Sequence, residues 1–231
     1  MFKPVVPKCN LSKQCLNEQF PDSFNNYRDA EIVQIKHHWW LKVNFVFGKL
    51  RILKNITDIR LIFIEEDFYV LSDLLFICEK AIASGVCDED KHIFVVGSPS
   101  KCSKSLIYIS DSVESVFGVL LTREQWKIIK SLEDEFCKYD DYNWDISLVH
   151  IMNKFAKFSS CFPLYGSRII HTGIIGVHNK RLNVVDEISN ELFPEKLQFK
   201  RRSKNHSKNM YGGWSDPRDI TLCNLFSEIS E

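Results

Sequence analysis

The sequence has no uninterrupted apolar run of about 18 residues, so nothing in it spans a bilayer as a helix. Met1-Phe2-Lys3-Pro4 starts no charged-then-apolar leader. There is no net charge to exploit either: Lys+Arg and Asp+Glu stand at 30 each, which removes a global field for polyanions or anionic membranes. Nucleic acid is therefore not an expected partner. The one basic run, Lys200-Arg201-Arg202 to Lys208, lies in a polar stretch and reads as a solvated loop. The eight cysteines include no CxxC pair and no Cys/His spacing of the zinc type, which argues against a structural metal site. The chain does not lack apolar bulk: 231 residues with 17 Phe and 5 Trp make one sizeable core and exclude a disordered chain.

Residues 1–25 are rich in Pro, Asn and Ser and read as an irregular segment ahead of a catalytic domain over 26–231. From Tyr27 to Leu53 a helical period appears, with Ile32, Trp39, Val43, Val46 and Leu50 facing inward. Ile59 to Ile64 is a strand, stopped by Glu65-Glu66-Asp67. A helix follows with Ser72 as its N-cap and Leu74, Leu75, Cys78 and Ile82 inward, ending near Gly85. His92–Val96 and Leu106–Ile109 are further strands. Thr122-Arg-Glu-Gln125 before Trp126, Ile129 and Leu132 is a capping box opening a helix. Another helix runs from Asp145 to Phe155, and Arg168–Ile170 is a strand leading to a Gly-bearing loop. Strands alternating with helices specify an α/β sheet covered on both faces.

Four constellations offer chemistry. Glu65-Glu66-Asp67 closes a strand, where ligands of open α/β sheets collect, and adjacent carboxylates suit a hard divalent cation bridging a diphosphate. Acids ahead of a helix serve its N-terminal dipole equally well. Asp145 stands where a helix begins, either as its cap or as a general base beside an aromatic wall of Tyr142 and Trp144. His171 follows a strand directly and is a second metal ligand or a hydrogen-bonded core histidine. Lys36-His37-His38-Trp39-Trp40 offers cations for phosphate and rings for packing, and the tryptophans fit a core equally. Phosphoesterases, nucleotidyltransferases and glycosyltransferases all remain open at this level.

Read in order, several segments resemble the N-acetylglucosaminyltransferase II family. They are Phe20-Pro-Asp-Ser-Phe24, Gln34-Ile-Lys-His-His-Trp-Trp40, Phe63-Ile-Glu-Glu-Asp67, Leu121-Thr-Arg123, Phe136 to Asp145, Arg168-Ile-Ile-His-Thr-Gly173, and Gly212-Gly-Trp-Ser-Asp-Pro-Arg-Asp219 with Cys223. The resemblance runs from about Cys15 to Cys223, and Tyr139-Asp-Asp-Tyr-Asn-Trp-Asp145 is its most distinctive run. It implies a GT-A type fold, a Rossmann-like mixed sheet with helices on both faces. It implies inverting transfer of N-acetylglucosamine from UDP-GlcNAc to the 2-hydroxyl of the alpha-1,6-arm mannose of N-glycans, with Mn2+ as cofactor, on the lumenal face of the Golgi membrane. Asp67 and His171 become the metal ligands, with Glu65 and Glu66 completing the acidic motif. Gln34, Ile35, Lys36, His37 and His38 fall on the nucleotide-sugar segment, Asp145 becomes the general base, and Tyr142 and Trp144 lie on the acceptor side. Cys9–Cys15 and Cys137–Cys223 are the disulfides that the resemblance implies; Cys78, Cys87, Cys102 and Cys161 are left unassigned. The family's anchor, stem and first strand–helix units that grip uracil have no counterpart before Cys9, so the chain reads as amino-terminally truncated. A catalytically silent, glycan-binding relative is the alternative.

Overall fold

The computed structural model describes residues 19–97, 106–113, 116–163, 168–171, 198–202 and 210–228. The chain divides into two units: a helical unit of residues 1–59, 126–151 and 207–231, and a sheet unit of residues 60–125 and 152–206.

The helical unit is built on α1 (Ala30–Gly48), whose start is set by Asp29: its carboxylate accepts from the Glu31 and Ile32 N–H groups. The face turned inward carries Val33, Lys36, His37, Trp39, Trp40, Val43, Asn44 and Phe47. This corrects the expected stripe at three of its five positions. Ile32 and Val46 are only half-buried, and Leu50 lies beyond the helix end. Simple apolar periodicity misses the true face because that face is studded with polar groups that find partners inside. Further helices are α4 (Glu133–Lys138), α5 (Trp144–Ile151) and α6 (Pro217–Glu228). Aromatic stacking fills the space between them: Trp40 lies over Phe136 at 4.3 Å and Trp39 over Trp144 at 4.6 Å and 4°. Cys137 and Cys223 are bridged, joining α4 to α6 as the resemblance implied. The Cys9–Cys15 pairing lies outside the described residues.

The sheet unit holds β1 (Arg60–Phe63), β2 (Phe68–Val70), α2 (Leu74–Ala83), β3 (His92–Val95), β4 (Leu106–Ser110), β5 (Val119–Thr122), β6 (Ser159–Pro163), β7 (Ile169–His171) and β8 (Gln198–Arg202). A mixed six-stranded sheet has the order β1-β5-β3-β6-β4-β8, and β2 and β7 form a separate two-stranded ribbon. Parallel pairing is confined to β3 with β6 and β4 with β8; the remaining neighbours are antiparallel. The mixed α/β architecture agrees with the expectation. The chain leaves this unit within α3 (Arg123–Lys130), whose capping box is formed as expected. Gln125 N–H donates to Thr122 Oγ1 at 3.1 Å, and Thr122 N–H to Gln125 Oε1 at 3.0 Å.

α2 packs Leu74, Cys78 and Ala81 against Phe94, Val96, Leu120, Cys161 and Ile169 of the strands. Two details of the sequence reading are corrected here. Leu75 points outward at 66% exposure, with Ile77 taking the inward place, and the residue before the helix is Asp73 rather than Ser72. Cys87 and Cys161 form a second disulfide, which spacing alone had left open. Cys78 keeps a buried free thiol, which burial first and the charges of Glu79 and Asp73 next push up to about 12.

Candidate functional site

In the sheet unit, the acidic triplet forms the turn between β1 and β2, with the Phe68 N–H donating to Glu65 O. Glu66 is exposed, while Glu65 and Asp67 are half-buried. β2 then runs antiparallel to β7 in the register Phe68↔His171, Tyr69↔Ile170, Val70↔Ile169. Asp67 precedes the residue paired with His171, so two positions more than a hundred apart in sequence sit at one end of one ribbon. A carboxylate and an imidazole are donors a divalent transition ion accepts; among the described residues, no group of three or more such side chains could hold an ion.

In the helical unit, three sequence segments are laced together by the buried Asp22, Asp141 and Asp219 and the half-buried Asp140. Asp22 Oδ1 accepts from the Phe24 and Asn26 N–H groups, and its Oδ2 accepts from Gly213 N–H. Asp140 accepts from Ser23 through N–H and Oγ, and from Trp214 N–H. Asp141, wholly buried, accepts from Asn143 N–H and Nδ2 and from Tyr211 N–H. Burial raises its carboxyl to about 6, against those hydrogen bonds and the charge of Lys36. Asp219 accepts from the Arg28 guanidinium at 2.6 and 3.0 Å and lies 3.0 Å from His37 Nε2. Burial pushes Asp219 up, but the bonds from His37 and Arg28 outweigh it and hold the carboxyl below its usual value.

Lys36 stands at the centre of this lattice. Its ammonium donates to Tyr139 O at 2.9 Å and Asp141 O at 3.2 Å, and lies 4.4 Å from the Trp214 ring. Burial draws its pKa well below the ordinary lysine value, opposed by the carboxylates of Asp141 and Asp140. Lys36 and His37 therefore face inward; the Lys36 ammonium and His37 Nε2 find partners within the unit, while His37 Nδ1 is buried with none among the described residues. On the expected nucleotide-sugar segment, Gln34 and His38 are the exposed members and Ile35 is half-buried.

The Asp145 loop is positioned by the same lattice. Ser147 Oγ donates to Asp141 O and Asn143 O, fixing the chain's entry into α5. The helix begins at Trp144, so Asp145 sits in its first turn and is not the N-cap expected from its place in the sequence. It is half-buried. Tyr142 is fully buried and Trp144 stacks on Trp39, so both rings of the expected acceptor wall are taken up in packing. Asn143 and Asp145 are the half-buried members of this loop.

The sequence reading missed Asp22, Asp140, Asp141 and Asp219 as a connected set. The available signal was Gly212-Gly-Trp-Ser-Asp-Pro-Arg-Asp219, whose two glycines have φ of +77° and +79°. Paired left-handed residues present N–H groups at close quarters, and here those groups meet the carboxylates of Asp22 and Asp140.

Comparison with known proteins agrees with this geometry. The family model for N-acetylglucosaminyltransferase II (MGAT2) matches residues 4–223. Alpha-1,6-mannosyl-glycoprotein 2-beta-N-acetylglucosaminyltransferase of Homo sapiens is 31% identical over 246 residues, covering 95% of this chain and 54% of that protein. The Sus scrofa protein of the same name is 29% identical with the same coverage, and that of Arabidopsis thaliana is 26% identical over 90% of this chain. The chain spans about half the length of the curated relatives it matches. Among the described residues no helix is long and apolar enough to cross a membrane. With the family model matched over nearly its whole length, the chain belongs to the N-acetylglucosaminyltransferase II family.

Proposed function

We propose that this chain carries the chemistry of an inverting β-1,2-N-acetylglucosaminyltransferase of GT-A type. The donor is UDP-GlcNAc and the acceptor nucleophile is the 2-hydroxyl of the alpha-1,6-arm mannose of an N-glycan. The observation that supports this reading most directly is the Phe68↔His171 register, which brings the backbones of Asp67 and His171 to the same end of one ribbon.

Asp67 and His171 would hold Mn2+, whose charge offsets that developing on the departing UDP. Glu65 and Glu66 keep the surrounding potential negative and so favour a cation at that turn. Gln34 and His38, exposed on α1, are the groups of the expected donor segment free to face a nucleotide-sugar. Asp145 takes the proton of the attacking hydroxyl as the new C1–O bond forms and the bond to the diphosphate breaks, inverting C1. A single displacement of this kind uses no protein nucleophile, in keeping with a motif set built of carboxylates. Two disulfides suit the oxidising lumen of the Golgi, where N-glycans are processed.

A second reading, a catalytically silent family member that binds glycan but cannot hold UDP, is favoured by the inward placement of Lys36 and His37. One assay separates the two. The chain is incubated with UDP-GlcNAc, Mn2+ and a mannose-terminated N-glycan, alongside Asp67→Asn and Asp145→Asn. Transfer by the unaltered chain that falls on the order of 10²–10⁴-fold in Asp145→Asn, with UDP binding retained, is the expected result. Glycan binding with neither UDP binding nor transfer in all three would establish the second reading. Unchanged transfer by Asp145→Asn would remove it as the base.

A further inference from the structure

Arg168, one residue before β7, is 1% exposed, and Asp73, one residue before α2, is fully buried. Their charges meet at 3.3 Å between Nε and Oδ1. Such a pair is weak evidence for stability, because apolar residues of similar volume often serve as well or better. Its place in the backbone supplies another role. Arg168 N–H donates to Val96 O at 2.9 Å, and Arg168 O accepts from Leu71 N–H at 3.0 Å. One residue thus ties the end of β3 to the β2–β7 ribbon. From that junction the ladder runs Val70↔Ile169, Tyr69↔Ile170, Phe68↔His171, and the next residue of the chain before Phe68 is Asp67.

A ribbon of three residue pairs is marginal by itself, and a one-residue slip would turn every side chain to the other face. On the β2 side hydrophobic pattern does little to prevent this, since Tyr69 and Val70 are exposed at 40% and 39%, and the buried Ile169 and Ile170 constrain β7 alone. The anchored end is tightly built by contrast. A Cβ on Gly97 would meet Ile169 at 2.9 Å and Phe117 O at 2.6 Å, and one on Gly118 would meet Ile169 at 2.5 Å. With that end fixed, the far end follows by ladder spacing.

We propose that the buried Arg168–Asp73 pair is the register lock of the β2–β7 ribbon and, through it, the positioning pair for Asp67 and His171. Its functional half rests on the metal reading above; its structural half does not. The test uses the full chain in four forms: unaltered, Asp67→Asn, Arg168→Met, and the double variant Asp73→Leu with Arg168→Met. The single Arg168→Met leaves a buried carboxylate without its counter-charge and is expected to fold poorly. The double variant removes both charges and is expected to unfold at an unchanged denaturant midpoint. Two measurements follow, with neither nucleotide nor glycan present: amide hydrogen exchange, and Mn2+ binding from the spectrum of the free ion.

In the double variant, exchange protection should fall at the β2 and β7 amides and hold elsewhere, and Mn2+ affinity should drop about 10–100-fold. Wild-type protection and affinity in the double variant would overturn the proposal. So would a double variant that does not fold, because the pair would then be an element of stability. If the unaltered chain and Asp67→Asn bind Mn2+ equally weakly, the metal reading fails. The exchange pattern then decides the register lock alone.

Discussion

Gly212→Ala is the sharpest probe of the aspartate lattice, because two separate penalties fall on one methyl group. Gly212 has φ of +77°, where a residue with a Cβ costs roughly 1–2 kcal/mol. The added Cβ would also overlap Asp22 Oδ2 and lie 2.7 Å from Phe24 Cδ2. Asp22 is 5% exposed and cannot step aside without loosening its bonds, the one from Gly213 N–H first. A hydrogen bond to a charged group contributes about 1.5–3 kcal/mol. Alanine's reduced freedom in the unfolded chain returns about 0.4–1 kcal/mol. The sum predicts a loss of about 2–4 kcal/mol. Gly85→Ala is the matched control, with φ of +70° and nothing within 4 Å of the new Cβ, so it should cost about 1 kcal/mol or less. Urea unfolding followed by tryptophan fluorescence reads the helical unit directly, since Trp39, Trp40, Trp126, Trp144 and Trp214 all belong to it. Far-UV dichroism reads the Gly85 variant. Equal losses in the two variants would refute the reasoning, because the lattice around Asp22 would then yield without cost.

The same lattice should show opposite pH responses at two carboxylates. Asp141, raised to about 6, contributes stability present below its ordinary 3.8 and lost as pH rises through about 6; Asp141→Asn should abolish that slope in urea midpoints. Asp219, held below 3.8, contributes stability present above that value and lost as pH falls beneath it, and Asp219→Asn should flatten the acid limb. Reducing Cys137–Cys223, which spans 86 residues of sequence, should lower stability by about 4–5 kcal/mol, measured as the difference between unfolding of the native chain and of a Cys137→Ala, Cys223→Ala variant. Thr122→Ala should cost about 1 kcal/mol by thermal melts. Gln125→Ala should cost more, because Gln125 Nε2 also donates to Glu89 O and His92 O.

The elements most legible in sequence were those whose signal is local. The capping box at Thr122 and Gln125 needs four consecutive residues, and β1, β3 and β4 are short apolar runs with polar stops. β2, β5, β6 and β8 escaped notice: β2 is three residues following an acidic turn, β5 runs straight into the capping box, and β8 takes residues 200–202, read as solvated loop, into the sheet beside β4. The inward face of α1 was misread because Lys36, His37 and Asn44 count as polar in any periodicity. They are buried only because Tyr139, Asp141, Asp219 and the helix's own Trp40 O receive them. Those partners are distant in sequence, apart from Trp40. Asp67, Asp145 and His171 were legible as chemistry by their residue types and by family resemblance. The pairing that carries Asp67 and His171 was not, since the Phe68↔His171 register joins strands more than a hundred residues apart. The cysteines make the same point: Cys87 and Cys161 are joined by a parallel strand pairing that no spacing rule reveals.

The helical unit is assembled from three stretches of chain, the last of them residues 207–231. During synthesis, α1 therefore emerges long before the Gly212–Asp219 segment and α6 that receive Lys36, His37 and Trp40. Lys36, Trp39 and Trp40 meet Tyr139, Trp144 and Phe136 once the middle stretch has emerged, but the partners of His37 and of the Trp40 indole N–H come only with the 207–231 stretch. Non-local closure of this kind slows folding and leaves apolar surface open to aggregation. A nascent chain halted before Trp214 should hold chaperones until release, and loss of residues 212–231 should be more damaging to yield than loss of an equal number of exposed residues elsewhere.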